Sequence, residues 1–270
     1  HCDIAIIGGG PVGAALALAL RNSGLNIIVL EARKPEQSGT DPRALALSYG
    51  SRLLLDRLGV WHAITQVSPI RHIHISQKGS FGRTLLHADT LEVPALGYVL
   101  PYPALHAALL QALHSSHATC LDGATVSALH QHADGATIDY AFDGQARQLH
   151  ARLAVVADGG KLLETTHPPE IHDYGQSAVI AHLTCRHFQA DTAFERFTAQ
   201  GPVALLPYRD GYELVWTMPH DAAQATLQRD ETQFLAQLHQ HFGDRVGEFI
   251  TAGPRSCFPL RLKRAPAITR

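Results

Sequence analysis

The chain has 270 residues, of which 46% are hydrophobic and 17% charged, which suits one large domain or two smaller ones with a sizeable core. The formal net charge of -2 gives no basic footprint, so we expect no nucleic-acid partner. The four cysteines form no C-x-x-C pair and no apolar stretch is long enough to span a bilayer, which disfavours a disulfide framework, a zinc site and a membrane helix and favours a cytoplasmic location.

The N-terminal segment predicts a strand–helix–strand unit. Asp3 to Ile7 and Asn26 to Leu30 are nearly continuous apolar runs, as expected for strands of a parallel sheet that is covered on both faces. The Ala- and Leu-rich segment from Pro11 to Asn22 predicts the helix between them. Gly24 stands where a helix-terminating glycine is expected.

A glycine-rich motif joins the first strand to the helix and contains G-x-G-x-x-G. Its context, a strand before it and an acid at the end of the next strand, is the one that a dinucleotide fingerprint requires. Gly8 permits a tight turn, Gly10 lets the backbone approach a pyrophosphate, and Gly13 lets the helix pack closely. Glu31 can bind both ribose hydroxyls and would repel a 2′-phosphate, so FAD or NAD is expected rather than NADP. The expected cofactor-binding residues here are Gly8, Gly10, Pro11, Val12, Gly13, Glu31, Ala32 and Arg33.

The chain up to residue 168 continues to mix helices and strands. Arg43 to Leu58 predicts a helix that Gly59 ends, and Pro103 to His114 predicts another. Strands are expected near 70–76, 83–87, 124–130, 136–142 and 153–157, with Asp134-Gly135 as a hairpin turn.

After residue 168 the pattern becomes richer in strands. Strands are expected at 177–186, 203–207 and 212–218, and Asp221 to Phe242 predicts one amphipathic helix that faces the core. The predicted fold class is α/β, a Rossmann-like cofactor domain with an inserted, β-sheet-rich α+β substrate domain. The expected boundaries are 1–70, 100–168 and about 263–270 for the cofactor domain, and 71–99 and 169–262 for the substrate domain.

The eighteen histidines raise the question of a metal site. His72 and His74 would share one face of a strand, whereas His239 and His241 would not face each other on a helix. The sequence has no H-E-x-x-H motif and no visible convergent set of cysteines or carboxylates. We expect a histidine-rich surface and no metal.

Three further segments decide between FAD and NAD. They are a D-x-R-A-x-A-L segment that starts at Asp41, an A-D-G segment that starts at Ala157, and an F-E-R-F-T segment that starts at Phe194. Together with the fingerprint they resemble the FAD-dependent hydroxylases of ubiquinone biosynthesis, in the 2-polyprenyl-6-methoxyphenol hydroxylase branch. The resemblance runs along nearly the whole chain to Ile268–Arg270.

The resemblance implies a para-hydroxybenzoate-hydroxylase-like fold with FAD as the cofactor and NAD(P)H as the co-substrate. It places Arg43 against the flavin, and it assigns Asp158 and Gly159 to FAD and to the route of the nicotinamide. The sequence departs from the family after Gly159, where Gly and Lys replace the usual Ser and Arg. It departs again at Tyr102, where relatives place Arg, Gln or Asn.

The implied function is hydroxylation of the aromatic ring of a polyprenylated phenol, using NAD(P)H and O2 through a C4a-hydroperoxyflavin. The flavin carries this chemistry, so no catalytic acid or base is assigned. Implied partners are the polyprenyl phenol, O2, a ubiquinone-biosynthesis complex and, peripherally, the inner membrane. In the family a second flavin motif follows the segment matching Ile268–Arg270, so we expect a C-terminally truncated chain whose activity belongs to a longer protein.

Two other functions stay open. An NAD-dependent dehydrogenase would use the same fingerprint but leaves the A-D-G segment unexplained. A non-catalytic flavin-fold subunit of a biosynthetic complex is compatible with the altered residues after Gly159. Bound FAD without substrate-stimulated oxidation of the nicotinamide would point to that subunit.

Overall fold

The computed structural model describes residues 1–34, 41, 43–166 and 168–264. Pro42 of the D-x-R-A-x-A-L segment, the Ile268–Arg270 segment and the predicted end of the cofactor domain from residue 265 onward lie outside the described residues. Among the helices that are described, none is long and apolar enough to cross a membrane.

Helices and strands alternate in the first half of the chain, and strands predominate in the second half. The first half contains β1 Cys2–Ile7, α1 Pro11–Ala19, β2 Ile27–Glu31, β3 Ala44–Ser48, α2 Tyr49–Arg57, β4 Ser68–Ile70, β5 His72–Gln77, β6 Arg83–His87, β7 Gly97–Pro101, α3 Tyr102–His114, β8 Thr119–Asp122, β9 Thr125–His132, β10 Gly135–Phe142, β11 Gln145–Val156 and α4 Lys161–Thr166. The second half contains β12 Glu170–Arg186, β13 Thr192–Thr198, β14 Gly201–Tyr208, β15 Gly211–Pro219, α5 His220–Leu227, α6 Glu231–Phe242, β16 Glu248–Ala252 and β17 Ser256–Arg264. The predicted α/β fold class is confirmed.

The N-terminal sheet has the strand order β8-β2-β1-β11-β10-β9. Its first four strands are parallel neighbours, and β10 is antiparallel to both β11 and β9. The cores on the two faces of this sheet explain why β1 is apolar throughout. Ile6 packs on one face with Leu18 and Leu109, and Ile7 packs on the other face with Ile138.

The large sheet has the order β16-β12-β15-β14-β13-β5-β6, and β17 also pairs with β12. Helices α5 and α6 cover its outer face over a core in which Trp216 and Phe234 are fully buried. A small antiparallel sheet, β3-β7-β4, packs against the opposite, inner face. There Val99 lies in one buried cluster with Ala193 and Tyr208. The inner face of the large sheet therefore faces the small sheet, whose strands lie between the fingerprint and α3 in the sequence.

The predicted helix from Arg43 to Leu58 was wrong over its first part. Ala44–Ser48 is a strand, antiparallel to β7, and α2 starts only at Tyr49. The alternating A-L-A-L pattern suits a strand, and the Ser48 hydroxyl caps the helix by accepting a hydrogen bond from the backbone N–H of Ser51.

The predicted helix from Asp221 to Phe242 was also wrong, because it is two helices. The break ends at Asp230, whose carboxylate accepts a hydrogen bond of 2.8 Å from the backbone N–H of Gln233. This Asp-x-x-Gln pattern is a helix-start signal that competes with a continuous apolar stripe.

Candidate cofactor site

The glycine loop between β1 and α1 is closed by contacts that leave no room for side chains. Gly8 has a φ of +108°, and a Cβ there would lie 2.5 Å from the carbonyl oxygen of Ala157. A Cβ on Gly13 would lie 1.9 Å from the carbonyl oxygen of Gly8. The loop therefore brings the fingerprint against the A-D-G segment, and only glycine fits at both positions.

The first turn of α1 offers backbone N–H groups without an anion of its own. Gly10 is the N-cap residue, no side chain in the described part of the chain caps the helix, and the first turn holds no acidic residue. A Cβ on Gly10 would meet no heavy atom of the described residues within 4 Å, and Val12 is 73% exposed beside it. An uncapped helix start attracts an anion, so the open space at Gly10 fits a pyrophosphate.

Glu31, at the end of β2, is buried and already hydrogen-bonded by the protein. One carboxylate oxygen accepts from the N–H of Gly9 at 2.6 Å, and the other accepts from the backbone N–H and the Nε of Arg33, each at 3.0 Å. Burial raises the pKa of Glu31, but the hydrogen bonds from Arg33 and Gly9 outweigh the effect of burial, so the pKa is lowered overall. The carboxylate is therefore ionised, and a ribose hydroxyl must compete with the Arg33 side chain for it.

Arg33, Arg43 and Tyr102 lie together on one side of the site. Hydrogen bonding to Glu31 raises the pKa of Arg33, and Tyr102 contributes in the same direction. The guanidinium of Arg43 lies 5.9 Å from the centre of the Tyr102 ring and 5.8 Å from that of Phe258 on the inner face of the large sheet. Arg43 thus stands between the cofactor loop and the large sheet.

The Arg43 guanidinium is also held by Asp41 through an Nη2–Oδ2 contact of 2.5 Å. Hydrogen bonding to Arg43 lowers the pKa of the Asp41 carboxyl. About half of the Arg43 side chain stays exposed, so the guanidinium is positioned but still accessible.

His106 on α3 is a site residue that the sequence analysis missed. The residue is 1% exposed, and its Nε2 has no hydrogen-bond partner among the described residues. Burial, followed by the charge of Arg33, lowers its pKa, while the backbone of Gly9 acts in the opposite direction. A polar residue in the Ala- and Leu-rich run of α3 was the available signal.

Asp158 and Gly159 lie at the end of β11, next to Gly8. The Asp158 carboxylate accepts hydrogen bonds from the backbone N–H groups of Gly160 at 2.8 Å and Leu162 at 2.7 Å, which starts α4. Gly159 and Gly160 both have positive φ, and a Cβ on either would have no described atom within 4 Å. The structure therefore brings Asp158 to the fingerprint but directs its carboxylate to its own loop. Ala32, exposed directly after β2, lies at the neighbouring strand end.

The inner face of the large sheet carries a polar network that the sequence analysis did not find. His182 donates from Nδ1 to the Glu213 carboxylate at 3.0 Å and from Nε2 to the Asp210 carboxylate at 2.9 Å. Hydrogen bonding to Glu213 and then to Asp210 raises the pKa of His182 above its ordinary value. On the same face, burial raises the pKa of Glu195. These side chains come from three strands and the turn before β15, so no local sequence motif contains them.

One group of potential metal ligands comes together among the residues that the structure describes: His114, Cys120 and Asp122. Their ligand atoms lie within 4.8 Å of one another. Burial, then Asp122, raises the pKa of the Cys120 thiol to about 12, so the thiol stays protonated and donates to Asp122. The hydrogen bonds within the group account for its proximity, and the expected absence of a metal stays a prediction.

The comparisons with known proteins agree with this geometry. A family model described as an FAD binding domain matches residues 1–253. A ubiquinone hydroxylase of Rhodospirillum rubrum is 32% identical over 97% of the chain, and the 3-demethoxyubiquinol 3-hydroxylase of Escherichia coli is 31% identical over 97%. The chain spans 62% and 69% of these two relatives' own lengths.

A solved structure of the same architecture is the p-nitrophenol 4-monooxygenase of Pseudomonas putida. It superposes with a TM-score of 0.72 at 15% identity, over 99% of this chain and 70% of that chain. At this identity the likeness shows the fold alone.

Proposed function

Because this chain belongs to the FAD-binding domain family of flavoprotein monooxygenases, we propose that it is part of an enzyme that hydroxylates the aromatic ring of a polyprenylated phenol in ubiquinone biosynthesis. The observation that carries the proposal is the junction of the fingerprint, the A-D-G segment and Arg43 in front of the large sheet's inner face. FAD, when bound, supplies the transfer of electrons from NAD(P)H to dioxygen and the insertion of one oxygen atom into the ring, with water as the second product.

The chain's own residues fit the adenosine and pyrophosphate portions of FAD. The uncapped first turn of α1 takes the pyrophosphate through its backbone N–H groups, next to the open space at Gly10. Glu31, held ionised by its hydrogen bonds, takes a ribose hydroxyl once the Arg33 side chain moves aside. Pro11, Val12, Gly13 and Ala32 line this part of the site by their place in the loop and at the strand end.

The ring of the substrate is expected between Arg43 and the inner face of the large sheet. The cationic guanidinium of Arg43 faces Phe258 there, and the face also holds the buried acid Glu195. Asp158 and Gly159 hold the loop that borders Gly8, and through it the cofactor. The predicted domain boundaries stay a proposal, in which the large sheet is the substrate domain.

The alternative is a non-catalytic flavin-fold subunit of a biosynthetic complex. It is favoured by one observation: both oxygens of Asp158 bind the protein's own backbone. The hydroxylase is favoured because the relatives that match nearly the whole chain are hydroxylases by name. In either case we propose peripheral contact with the inner membrane, where a polyprenylated phenol resides, and assembly with other biosynthetic enzymes.

The test uses the full-length protein with FAD and a short-tailed polyprenyl phenol. Flavin absorbance together with substrate-stimulated oxidation of NADH or NADPH is expected. Arg43→Gln should weaken this stimulation and shift the flavin absorbance, whereas Arg57→Gln on the exposed end of α2 should change neither. Flavin absorbance without any substrate-stimulated oxidation would favour the subunit, and NAD binding in place of FAD would overturn both.

A further inference from the structure

A second cavity lies away from the cofactor site, on the outer face of the large sheet beyond the edge of α6. Its volume is about 700 Å³, and its floor is formed by β6, β5 and β13. His74 pairs with Leu85 and Phe194 in register, so these three side chains share one face of the sheet. Arg245, which follows α6, forms the wall. We call this cavity the arginine groove.

The groove is strongly cationic. Arg83, Arg196 and Arg245 line it, and within the described part of the chain none of the three forms an ion pair. Arg196 donates from Nη1 to the Ser76 hydroxyl at 3.0 Å, but its buried Nε has no partner among the residues that the structure describes. Arg83 and Arg245 are exposed, whereas Arg196 is partly buried, and a partly buried cation is usually paired. Arg196 thus offers an unmet hydrogen-bond donor to an anion, and the two exposed arginines add positive charge beside it.

The titration of the neighbouring histidines reflects the same positive field. Burial lowers the pKa of His74, and the charges of Arg245, Arg83 and Arg196 lower it further. The pKa of His241 is lowered to about 4 by burial, followed by the charges of Lys78 and Arg196. Asp191 lies 3.8 Å from His72 at one end of the groove, and in the described structure neither Asp191 nor Asp244, which precedes Arg245, forms an ion pair with the three arginines.

The rim of the groove is apolar and exposed. Phe81, in the turn that joins β5 to β6, is fully exposed, and it stands between Lys78 and Arg83 in the sequence. Leu85, next along β6, is 43% exposed. An exposed aromatic ring flanked by cations is the chemistry of proteins that lie at a membrane interface. The rim and the groove thus favour an anion that is attached to an apolar phase.

We propose that the arginine groove and the Phe81 turn dock on a membrane that contains anionic phospholipid, with the arginines on lipid phosphates and Phe81 in the headgroup layer. Arginine suits this role because its planar fork binds phosphate in a bidentate manner. The docking surface rests on the proposed function, since it supplies the membrane contact that a polyprenylated substrate requires. Its hairpin also presents Ile73 to the inner face, in a cluster with Leu206.

The experiment is co-sedimentation of the full-length protein with two kinds of vesicles, phosphatidylcholine alone and phosphatidylcholine mixed with phosphatidylglycerol. Binding is expected only to the mixed vesicles, and it should fall as sodium chloride is added. The double variant Arg83→Gln/Arg245→Gln should weaken binding at least about tenfold, because each basic residue near an anionic surface adds to the attraction. The matched double variant Arg57→Gln/Arg147→Gln removes the same charge elsewhere, and it should bind the mixed vesicles nearly as well as the wild type does.

Phe81→Ser should also weaken binding, whereas Leu54→Ser, which replaces a 52% exposed residue on α2, should not. Far-ultraviolet circular dichroism confirms that each variant is folded. Equal binding to both kinds of vesicles, or equal losses in both double variants, would overturn the docking surface. So would inorganic phosphate that binds in the groove while neither kind of vesicle binds, because that result would make the groove a site for a free anion.

Flavin absorbance and hydroxylation of a short-tailed phenol, measured on the same samples, separate this inference from the proposed function. Vesicle binding through the groove without hydroxylation would retain the docking surface and remove the hydroxylase. Hydroxylation without vesicle binding would do the reverse.

Discussion

The N-terminal sheet presents backbone to its candidate site, whereas the inner face of the large sheet presents side chains. At the first site the fit is made by Gly8 and Gly13, where a single Cβ would collide with the backbone. At the second, His182 is held by two carboxylates from the neighbouring strand and its turn. A backbone site is intolerant of added atoms but insensitive to pH, and a side-chain site has the opposite properties.

The largest expected effect comes from the backbone site. Gly13→Ala would place a Cβ 1.9 Å from the Gly8 carbonyl oxygen, so the first turn of α1 must move. We expect a loss of about 3 kcal/mol in the free energy of unfolding and no detectable FAD binding. Urea unfolding and titration with FAD measure the two losses.

Gly10→Ala is the matched control for that substitution. A Cβ on Gly10 meets no heavy atom of the described residues within 4 Å, so the unfolding midpoint without FAD should fall much less than in Gly13→Ala. FAD affinity should still fall, because the methyl group enters the space expected for the pyrophosphate. Unchanged FAD affinity in Gly10→Ala would place the pyrophosphate elsewhere.

Glu31 combines both kinds of site, since its carboxylate closes the glycine loop. Glu31→Gln should weaken FAD binding about tenfold, because it replaces a charged acceptor of the ribose hydroxyl. The pKa of Glu31 is lowered from 4.5 in the folded protein, so its contribution to stability is complete above about pH 4.5 and is lost as the pH falls through the folded value. The wild type should therefore be more stable than the variant at pH 7, and thermal unfolding should show this difference shrinking in acid. If the difference in stability between the wild type and Glu31→Gln stayed the same in acid, the ionised Glu31 carboxylate would not be its cause.

The side-chain site should respond at higher pH and more weakly. The pKa of His182 is raised from 6.5, so its ion pairs contribute fully below about pH 6.5 and are lost as the pH rises through the folded value. The wild type should lose less than about 1 kcal/mol over this range, because the partly exposed pairs are screened. His182→Gln should show no such slope, and His130→Gln, at an exposed position on β9, should retain it. If urea unfolding gave the same dependence of stability on pH for the wild type and His182→Gln, the His182 network would not be its cause.

The difference between the two sites also explains what the sequence could and could not predict. The strand–helix–strand unit, the glycine loop and Glu31 lie within the first 31 residues, so local spacing predicts them. His182 lies 28 residues from Asp210 and 31 from Glu213, and only the register of β12 with β15 brings them together. The arginine groove depends on a contact between Ser76 and Arg196, which are 120 residues apart. No pattern in a single sequence encodes such register.

The secondary-structure predictions failed where two local signals competed or where the local signal was weak. At Ala44–Ser48 the residues are good helix formers, but pairing with β7 decides for a strand. The short strand β8 was missed because its Thr-Cys-Leu-Asp sequence carries no periodic pattern. The strand predicted near residue 153 is the end of the longer β11, whose first part is polar and exposed.

The smallest effect concerns the break between α5 and α6, where an apolar stripe predicted one helix and a cap makes two. Asp230→Ala removes the acceptor of the Gln233 N–H bond, and we expect a loss of about 1 kcal/mol in the free energy of unfolding. Asp230→Asn keeps an equally good N-cap and should cost only a few tenths of that amount. Urea unfolding of both variants decides the point. If Asp230→Ala were as stable as Asp230→Asn, the packing of Phe234 and Leu238 beneath Trp216 would fix the start of α6 without the cap. The packing of the buried core would then be sufficient to fix the two helices on the outer face of the large sheet.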